Sequence, residues 1–485
     1  MSSVRSLALI VLAVLPLVVG CGSSAGSGPA GATVAPASAE LFLSVRTDSG
    51  SDQWKQAANI FDAFPDGDKA IQGILDQLGA QGIDFARDVE PALGPETDLV
   101  GLDLGKSEIV GLTQPEDVAK LKALLARADE AFFTRDVDGW TAFADSTAVL
   151  DRFESAREDG TLEGSSDYQG AIAEVDQDAL ALFYLKGGGL QGTIQQEGNL
   201  PPGALGALFP DGKSPSLAMS LKAEENGLRV GGAAKLAADE GGFAPENFRA
   251  ELPKEVPGGA LVYAGFNDFE SSLSALRDVL AEGAPDFDRD LARIEASLGV
   301  SLEEDVFPLF SGETALYVRP GFLIPEVTLV TQVDDENAAM ATVGKLIAGL
   351  GEYLPAAQRV QDVDIDGVQA KEIPVSPPVS LYWAAFDGHL VLSSSSEGIA
   401  ELRKDDERLA DDRDFRDALE RAGVPDETNG FVYVNLHDAL SYVLGLVGGG
   451  VPATVRANLE PLDQLVLYGS KDGRTLKFAG FLGVD

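Results

Sequence analysis

Histidine and cysteine are nearly missing from this chain of 485 residues. It has two histidines, His389 and His437, and one cysteine, Cys21. A zinc site needs a cluster of such ligands, and no H-E-x-x-H is present, so the expected metal set is empty. A single cysteine also rules out an internal disulfide and leaves stability to packing. Positive charge is scarce: 36 Lys and Arg face 78 Asp and Glu, a formal charge of −42. Such a surface repels phosphate, which excludes nucleic acid as a partner. Its simplest use is solubility. Long apolar runs are absent apart from Leu7–Gly20, which contains Pro16 and falls short of the roughly 20 residues a spanning helix needs. Hydrophobic residues make up 45% of the chain, enough for two or three packed domains rather than a disordered polymer.

The one cysteine sits where it carries most information. Met1–Ser6 holds a single positive residue, Arg5; Leu7–Gly20 follows uncharged; and the run closes in Val18-Val19-Gly20-Cys21. This resembles the lipobox of bacterial lipoprotein signal peptides. The resemblance implies that residues 1–20 are a signal peptide and that Cys21 is the lipid-attachment residue, bearing a thioether-linked diacylglycerol. The body is then extracytoplasmic and anchored to a bacterial cell membrane through Cys21. A body of this charge is repelled by an anionic membrane surface, so a covalent anchor has work to do. Residues 21–35, rich in Gly, Ser and Ala, read as a flexible tether.

Internal similarity organises the rest. Gly82-Ile83-Asp84-Phe85-Ala86-Arg87-Asp88-Val89-Glu90-Pro91 matches Gly299-Val300-Ser301-Leu302-Glu303-Glu304-Asp305-Val306-Phe307-Pro308, and the alignment runs ungapped to Glu96-Thr97 and Glu313-Thr314. Asp167-Tyr168 with Ala171 echoes Asp414-Phe415 with Ala418, and Ala181–Leu185 echoes Phe431–Asn435. Asn226-Gly227 and Asp472-Gly473 each divide two alternating runs, as hairpin turns do. The reading is a first repeat over 36–239, a Gly/Pro-rich linker over 240–252, and a second repeat over 253–485. Each opens with a strand, continues with two helices, and returns to strands through the D-V-x-P segment. Hairpins interleave with helices without a βαβα rhythm. The expected fold class is α+β: two tandem related halves, each a largely antiparallel sheet packed with helices. Asp366-Gly367 and Asp387-Gly388 mark two hairpins in the second half, whereas the first offers only Asp138-Gly139.

The opening strand, the helix pair and Asp88-Val89-Glu90-Pro91-Ala92-Leu93-Gly94 resemble the family called domain of unknown function 3352, bacterial proteins often carrying lipoprotein signals. The second half departs from that pattern, with Phe310-Ser311 in place of Leu93-Gly94. The resemblance implies the compartment and the fold, and no activity comes with it.

Candidate chemistry fails on inspection. No G-x-S-x-G joins a strand to a helix. Gly206–Ser214 imitates a phosphate loop, but Ala207 stands where glycine is needed and Pro215 follows. Asp362-Val363-Asp364-Ile365-Asp366-Gly367 starts like a calcium loop, yet its twelfth position is Ile373. Ser393–Ser396 precedes a helix that Ser396 is placed to cap. Glu303-Glu304-Asp305 and Asp411-Asp412 read as solvated faces. The expected function is therefore that of a non-enzymatic, membrane-tethered lipoprotein binding an envelope component or hydrophobic ligand, with no cofactor and no catalytic residue assigned. A structural or protein-interaction scaffold of the envelope is the alternative, and a carboxylate-based hydrolase stands behind it.

Overall fold

The computed structural model describes residues 28–128, 130–187, 216–235, 245–284, 286–321, 324–349, 359–376, 379–404 and 406–485. Cys21 and Gly206–Ser214 lie outside the described residues.

Among the described residues, alternating Val, Leu, Phe and Tyr put eighteen strands into one sheet. The first eight are β1 (Leu41–Arg46), β2 (Glu96–Asp103), β3 (Glu108–Thr113), β4 (Phe133–Val137), β5 (Trp140–Ala144), β6 (Ala181–Leu185), β7 (Ser216–Glu224) and β8 (Gly227–Lys235). The next five are β9 (Val262–Phe266), β10 (Thr314–Arg319), β11 (Glu326–Gln332), β12 (Gln361–Ile365) and β13 (Val368–Ser376). The last five are β14 (Val379–Phe386), β15 (His389–Ser393), β16 (Gly430–Asn435), β17 (Leu462–Asp472) and β18 (Thr475–Val484). Every pairing among them is antiparallel. The fold is α+β with a large antiparallel sheet.

At the middle of the sheet β8 pairs with β18 over the length of both strands. Outward from there the order is β7, β6, β1, β2, β3, β5, β4 on one side. On the other it is β17, β16, β9, β10, β11, β15, β14, β13, β12. The two orders correspond strand for strand until β13 and β12 add one hairpin at the far edge. Asp138-Gly139 therefore matches Asp387-Gly388, and Asp366-Gly367 is the turn of the added hairpin. All three Asp-Gly pairs have positive φ at both residues, as a two-residue I′ turn requires. The other two hairpins differ from the expected turns by one residue. Glu224 faces Gly227 and Asp472 faces Thr475, so the loops are Glu225-Asn226 and Gly473-Arg474.

Eleven helices matter to the architecture. They are α1 (Asp52–Asp62), α2 (Gly67–Ala80), α3 (Val118–Leu125), α4 (Thr147–Arg157), α5 (Ser166–Ile172) and α6 (Phe269–Gly283). They continue with α7 (Phe287–Leu298), α8 (Glu336–Gly349), α9 (Arg413–Ala422), α10 (Leu436–Val447) and α11 (Ala453–Leu459). On the first face of the sheet, α4, α5 and α9 cover two large cores. Phe415, Ala418 and Ala422 form one buried stripe of α9, at the spacing of an amphipathic helix. Tyr168 of α5 meets Phe42 edge-on at 5.9 Å and Tyr184 at 5.1 Å. Phe415 of α9 meets Tyr263 at 6.0 Å and Tyr433 at 5.1 Å in the same manner.

The repeated D-V-x-P segment has a local physical cause. Gly82 and Gly299 take φ of 73° and 69°, and each leads into a π-helical turn, Phe85–Val89 and Leu302–Val306. Asp88 accepts from Asp84 N at 2.9 Å and Asp305 from Ser301 N at 2.9 Å. Asp84 and Ser301 answer by accepting from Arg87 N and Glu304 N, a reciprocal cap. The Glu-Thr pair is equally explained. Glu96 accepts from Gly31 N at 2.9 Å, and Glu313 from Leu252 N at 3.0 Å, so each carboxylate holds the 3-10 turn ahead of its opening strand.

Two expected boundaries move. The tether assigned to 21–35 enters the packed body, because Ala30–Thr33 is a 3-10 turn and Ala32, Val34 and Ala35 are buried in the first core. The linker assigned to 240–252 is pinned from Asn247 on. Asn247 exchanges two hydrogen bonds with the Lys471 backbone, Phe248 bridges to Thr428, and Leu252 is fully buried.

Candidate functional site

The second face of the sheet is also apolar, and helices cover it towards its edges and on either side of its middle. There, α3 packs Leu121 and Leu125 on Val45, Leu99 and Phe143, while α8 packs on Leu390 and Trp383. Nearer the middle, α1 docks on β7: Gln53 exchanges two hydrogen bonds with the Ala223 backbone, at 2.9 and 3.2 Å. Trp54 joins Ala223, Leu228 and Val484 in a small cluster. From the other side α10 leans on β17. Between them runs a groove of about 760 Å³ over β7, β8, β18, β17, β16 and β9.

Its floor follows from the register. One cross-strand row reads Leu221, Val230, Gly480, Leu467, Val432 and Ala264, and continues past the groove to Leu316 on β10. The adjacent row reads Met219, Gly232, Phe478, Gly469 and Gly430. Cross-strand partners share a face, so these aliphatic groups point into one trough. Glycines deepen it. The Phe478 ring lies so close over Gly232 that an added Cβ would fall 2.0 Å from it. Leu467, Phe478 and Leu316 keep 44%, 39% and 38% of their surface exposed. That is unusual for large apolar groups at the centre of a sheet, and a contiguous patch of this kind marks an interaction site. Tyr468 is the polar side chain among the described lining residues, and its hydroxyl donates away to Gly423 O at 3.2 Å. Chemically, the groove can desolvate hydrocarbon and offers nothing to orient a polar reacting group. The turn between α1 and α2 is joined to α11, with Asp66 N donating to Asn458 Oδ1 at 2.9 Å and Asn458 Nδ2 donating to Asp66 Oδ2 at 2.7 Å.

The residues singled out in the sequence do not assemble into this site. His389 faces Glu255 at 3.3 Å, while His437 opens α10. Asp362 pairs with Lys371, and Asp364 accepts from Gly367 N and Gln369, so the calcium-like segment is a self-satisfied hairpin. Ser396 makes no capping bond; Ser395 accepts from Gly398 N instead, and its hydroxyl donates to Glu326. Glu303 pairs with Arg277, Asp305 with Lys345, and Asp412 caps α9. Among the described residues no group of three His, Cys, Asp or Glu side chains could hold a metal ion. No described helix is long and apolar enough to cross a membrane. Sequence reading missed the groove because its signal is distributed: single apolar residues on six strands, far apart along the chain, share one face only after pairing.

One buried carboxylate also escaped notice. Asp98 on β2 is fully buried, and neither oxygen has a well-formed hydrogen bond. Burial first, then the charge of Glu96, pushes its carboxyl well above the ordinary range. Gly31 is required beside it, since a Cβ there would lie 1.7 Å from Asp98 Oδ2. A folded-state pKa raised above the unfolded value means that the folded protein holds the extra proton. The stability tied to Asp98 is then full below the unfolded carboxylate range and is lost as pH rises through the folded pKa. Asp98→Asn is expected to be more stable than the parent at pH 7, by more than about 1 kcal/mol, because the amide needs no proton on folding whereas the buried carboxyl must take one up. The difference should close on acidification towards about pH 4. Urea unfolding of both proteins across that range checks this.

The profile of the family described as protein of unknown function DUF3352 matches residues 119–466. No curated protein matches the chain. Among solved structures, crystal form IV of TP0453 is similar at 14% identity, over 46% of this chain and 76% of that one, with a TM-score of 0.24. Crystal form III of the same protein gives 12% identity over 47% and 78%, also with a TM-score of 0.24. Superposition that low decides nothing about this chain. The profile match spans well over half of the sequence, including the second D-V-x-P segment, and on that ground the chain belongs to the DUF3352 family of proteins of unknown function.

Proposed function

We propose that this protein is a membrane-tethered extracytoplasmic lipoprotein, anchored through Cys21, that binds a hydrophobic ligand or an envelope component with acyl chains. The observation that carries the reading is the apolar groove across the middle of the sheet. Its size falls within the roughly 300–1,000 Å³ usual for small-molecule sites. Each methylene withdrawn from water into such a trough contributes about 0.8 kcal/mol, so a chain of modest length binds without any polar anchor. The reading treats the chain as two tandem copies of one unit, joined edge to edge through β8 and β18. The matching strand orders, the paired aromatic trios and the paired glutamate caps support this. The groove straddles the seam, so neither copy alone would build it. No catalytic role is assigned.

A scaffold reading has one observation of its own: Val443, Leu446 and Val447, on α10, are 49%, 48% and 60% exposed. Titration with a fluorescent fatty acid separates the two. A ligand-binding protein gives saturable binding of one probe that unlabelled lipid displaces, whereas a scaffold gives none.

A further inference from the structure

A polar cleft of about 540 Å³ opens on the first face, opposite the groove, between α9, the start of α10 and the ends of β16 and β17. Asp414, Asp417, Asp438, Asp463 and Asp485 line it, against Arg413, Arg421 and His437. The arginines are already engaged. Arg413 pairs with Asp414 at 3.0 Å, and Arg421 with Asp463 at 2.9 Å and Asp485 at 3.6 Å. Asp438 is met by a neutral group, Asn435 Nδ2 at 3.0 Å. Among the described residues, Asp417 and Asp438 have no cation within ion-pair distance. The surplus negative charge is felt locally. Burial and then Asp485 raise the Asp463 carboxyl, and after burial the surrounding aspartates hold the Tyr433 phenol up.

A second, independent feature points to a ligand. Gln464, the cross-strand partner of Asn435, lines the cleft, is only 4% exposed, and its Nε2 has no hydrogen-bond partner. A buried amide donor without an acceptor is costly and rare, and each such case calls for an explanation. Carboxylates ask for cationic or hydroxyl donors, and the amide asks for an acceptor oxygen. An anion would meet the aspartates. A metal ion would lack its ligand set among the described residues. A ligand carrying both an ammonium and hydroxyl groups answers each demand, because a hydroxyl both donates and accepts.

We infer that this cleft is a second binding site, separate from the apolar groove, for an organic ammonium ion that bears hydroxyl groups. The ammonium lies against Asp417 and Asp438, and a ligand hydroxyl accepts from Gln464. The main rival is diffuse attraction of any cation to a chain of net charge −42.

Calorimetric titration of the chain from Gly22 onward with glucosamine, at about pH 6 where the amine is protonated, distinguishes them. The expected result is saturable binding of one equivalent, with N-acetylglucosamine at least tenfold weaker. Asp417→Asn, an exposed change on α9 that leaves the fold intact, should weaken glucosamine at least fivefold. Gln464→Leu should weaken it without lowering the melting temperature, while Asp288→Asn, on α7, should leave it unchanged. Equal affinity for N-acetylglucosamine, or uptake of glucosamine that does not saturate and responds alike to Asp417→Asn and Asp288→Asn, overturns the assignment. Failure here leaves the groove reading intact, since the two sites lie on opposite faces.

Discussion

Phe415→Ala lowers the stability of the chain by about 3–5 kcal/mol, the cost of emptying a fully packed aromatic site. The ring is 3% exposed and lies at the centre of the second core. It makes edge contacts to Tyr263 and Tyr433 and a tilted one to Phe431 at 6.1 Å, so truncation removes three aromatic pairs besides the buried area. Because α9 is held to the sheet through Phe415, Ala418 and Ala422, its packing depends on this one large side chain. Tyr168→Ala, at the corresponding place in the first core, should cost a similar amount, since that ring contacts Phe42 and Tyr184 in the same geometry. Urea denaturation of both variants measures the effect. A loss below about 1 kcal/mol for Phe415→Ala would mean that the α9 contact does not organise the core.

Leu467→Asp abolishes binding of an apolar ligand while leaving the fold nearly as stable as before. Leu467 stands mid-row in the groove, between Gly480 on β18 and Val432 on β16, and is 44% exposed. Half-exposed, it contributes little to folding, and a carboxylate there stays hydrated as long as the groove is empty. Seating a hydrocarbon on it would strip that hydration, which costs several kcal/mol for a charged group without a partner. The expected loss is at least a hundredfold in affinity for a fluorescent fatty acid, equivalent to about 2.7 kcal/mol. The unfolding midpoint should shift little. Leu467→Met, similar in volume and polarity, should bind as the parent does. Normal binding by Leu467→Asp would place any apolar ligand elsewhere.

Much of this architecture was legible in the sequence, for identifiable reasons. The turns at Asp138-Gly139, Asp366-Gly367 and Asp387-Gly388 read correctly because only a few residues tolerate positive φ at two successive positions, whereas Asp472-Gly473 was misplaced by one residue. The D-V-x-P segment read as a repeat because its π-turn fixes a glycine, a capping Asp or Ser, and a second Asp at set spacings. The opening strands and the helix pairs emerged from plain periodicity. What escaped depends on distant partners. The burial of Ala32, Val34 and Ala35 could not be read from a Gly/Ser/Ala-rich stretch, because the Glu96 carboxylate that holds the turn arrives from β2. The shift from Ser396 to Ser395 as the capping hydroxyl likewise depends on Glu326, on another strand. The groove and the polar cleft are made by pairing β8 with β18 and β16 with β17, and local sequence does not encode which strands meet.

Native mass spectrometry of the chain from Gly22 onward, purified from a bacterial envelope extract and followed by organic extraction, tests the central claim most directly. The groove reading predicts a protein mass raised by one discrete adduct that passes into the organic phase as an acyl-chain lipid. Leu467→Asp should emerge bare from the same preparation. A bare polypeptide mass for the unsubstituted chain, together with no uptake of added lipid, would contradict the account and leave the groove without an occupant.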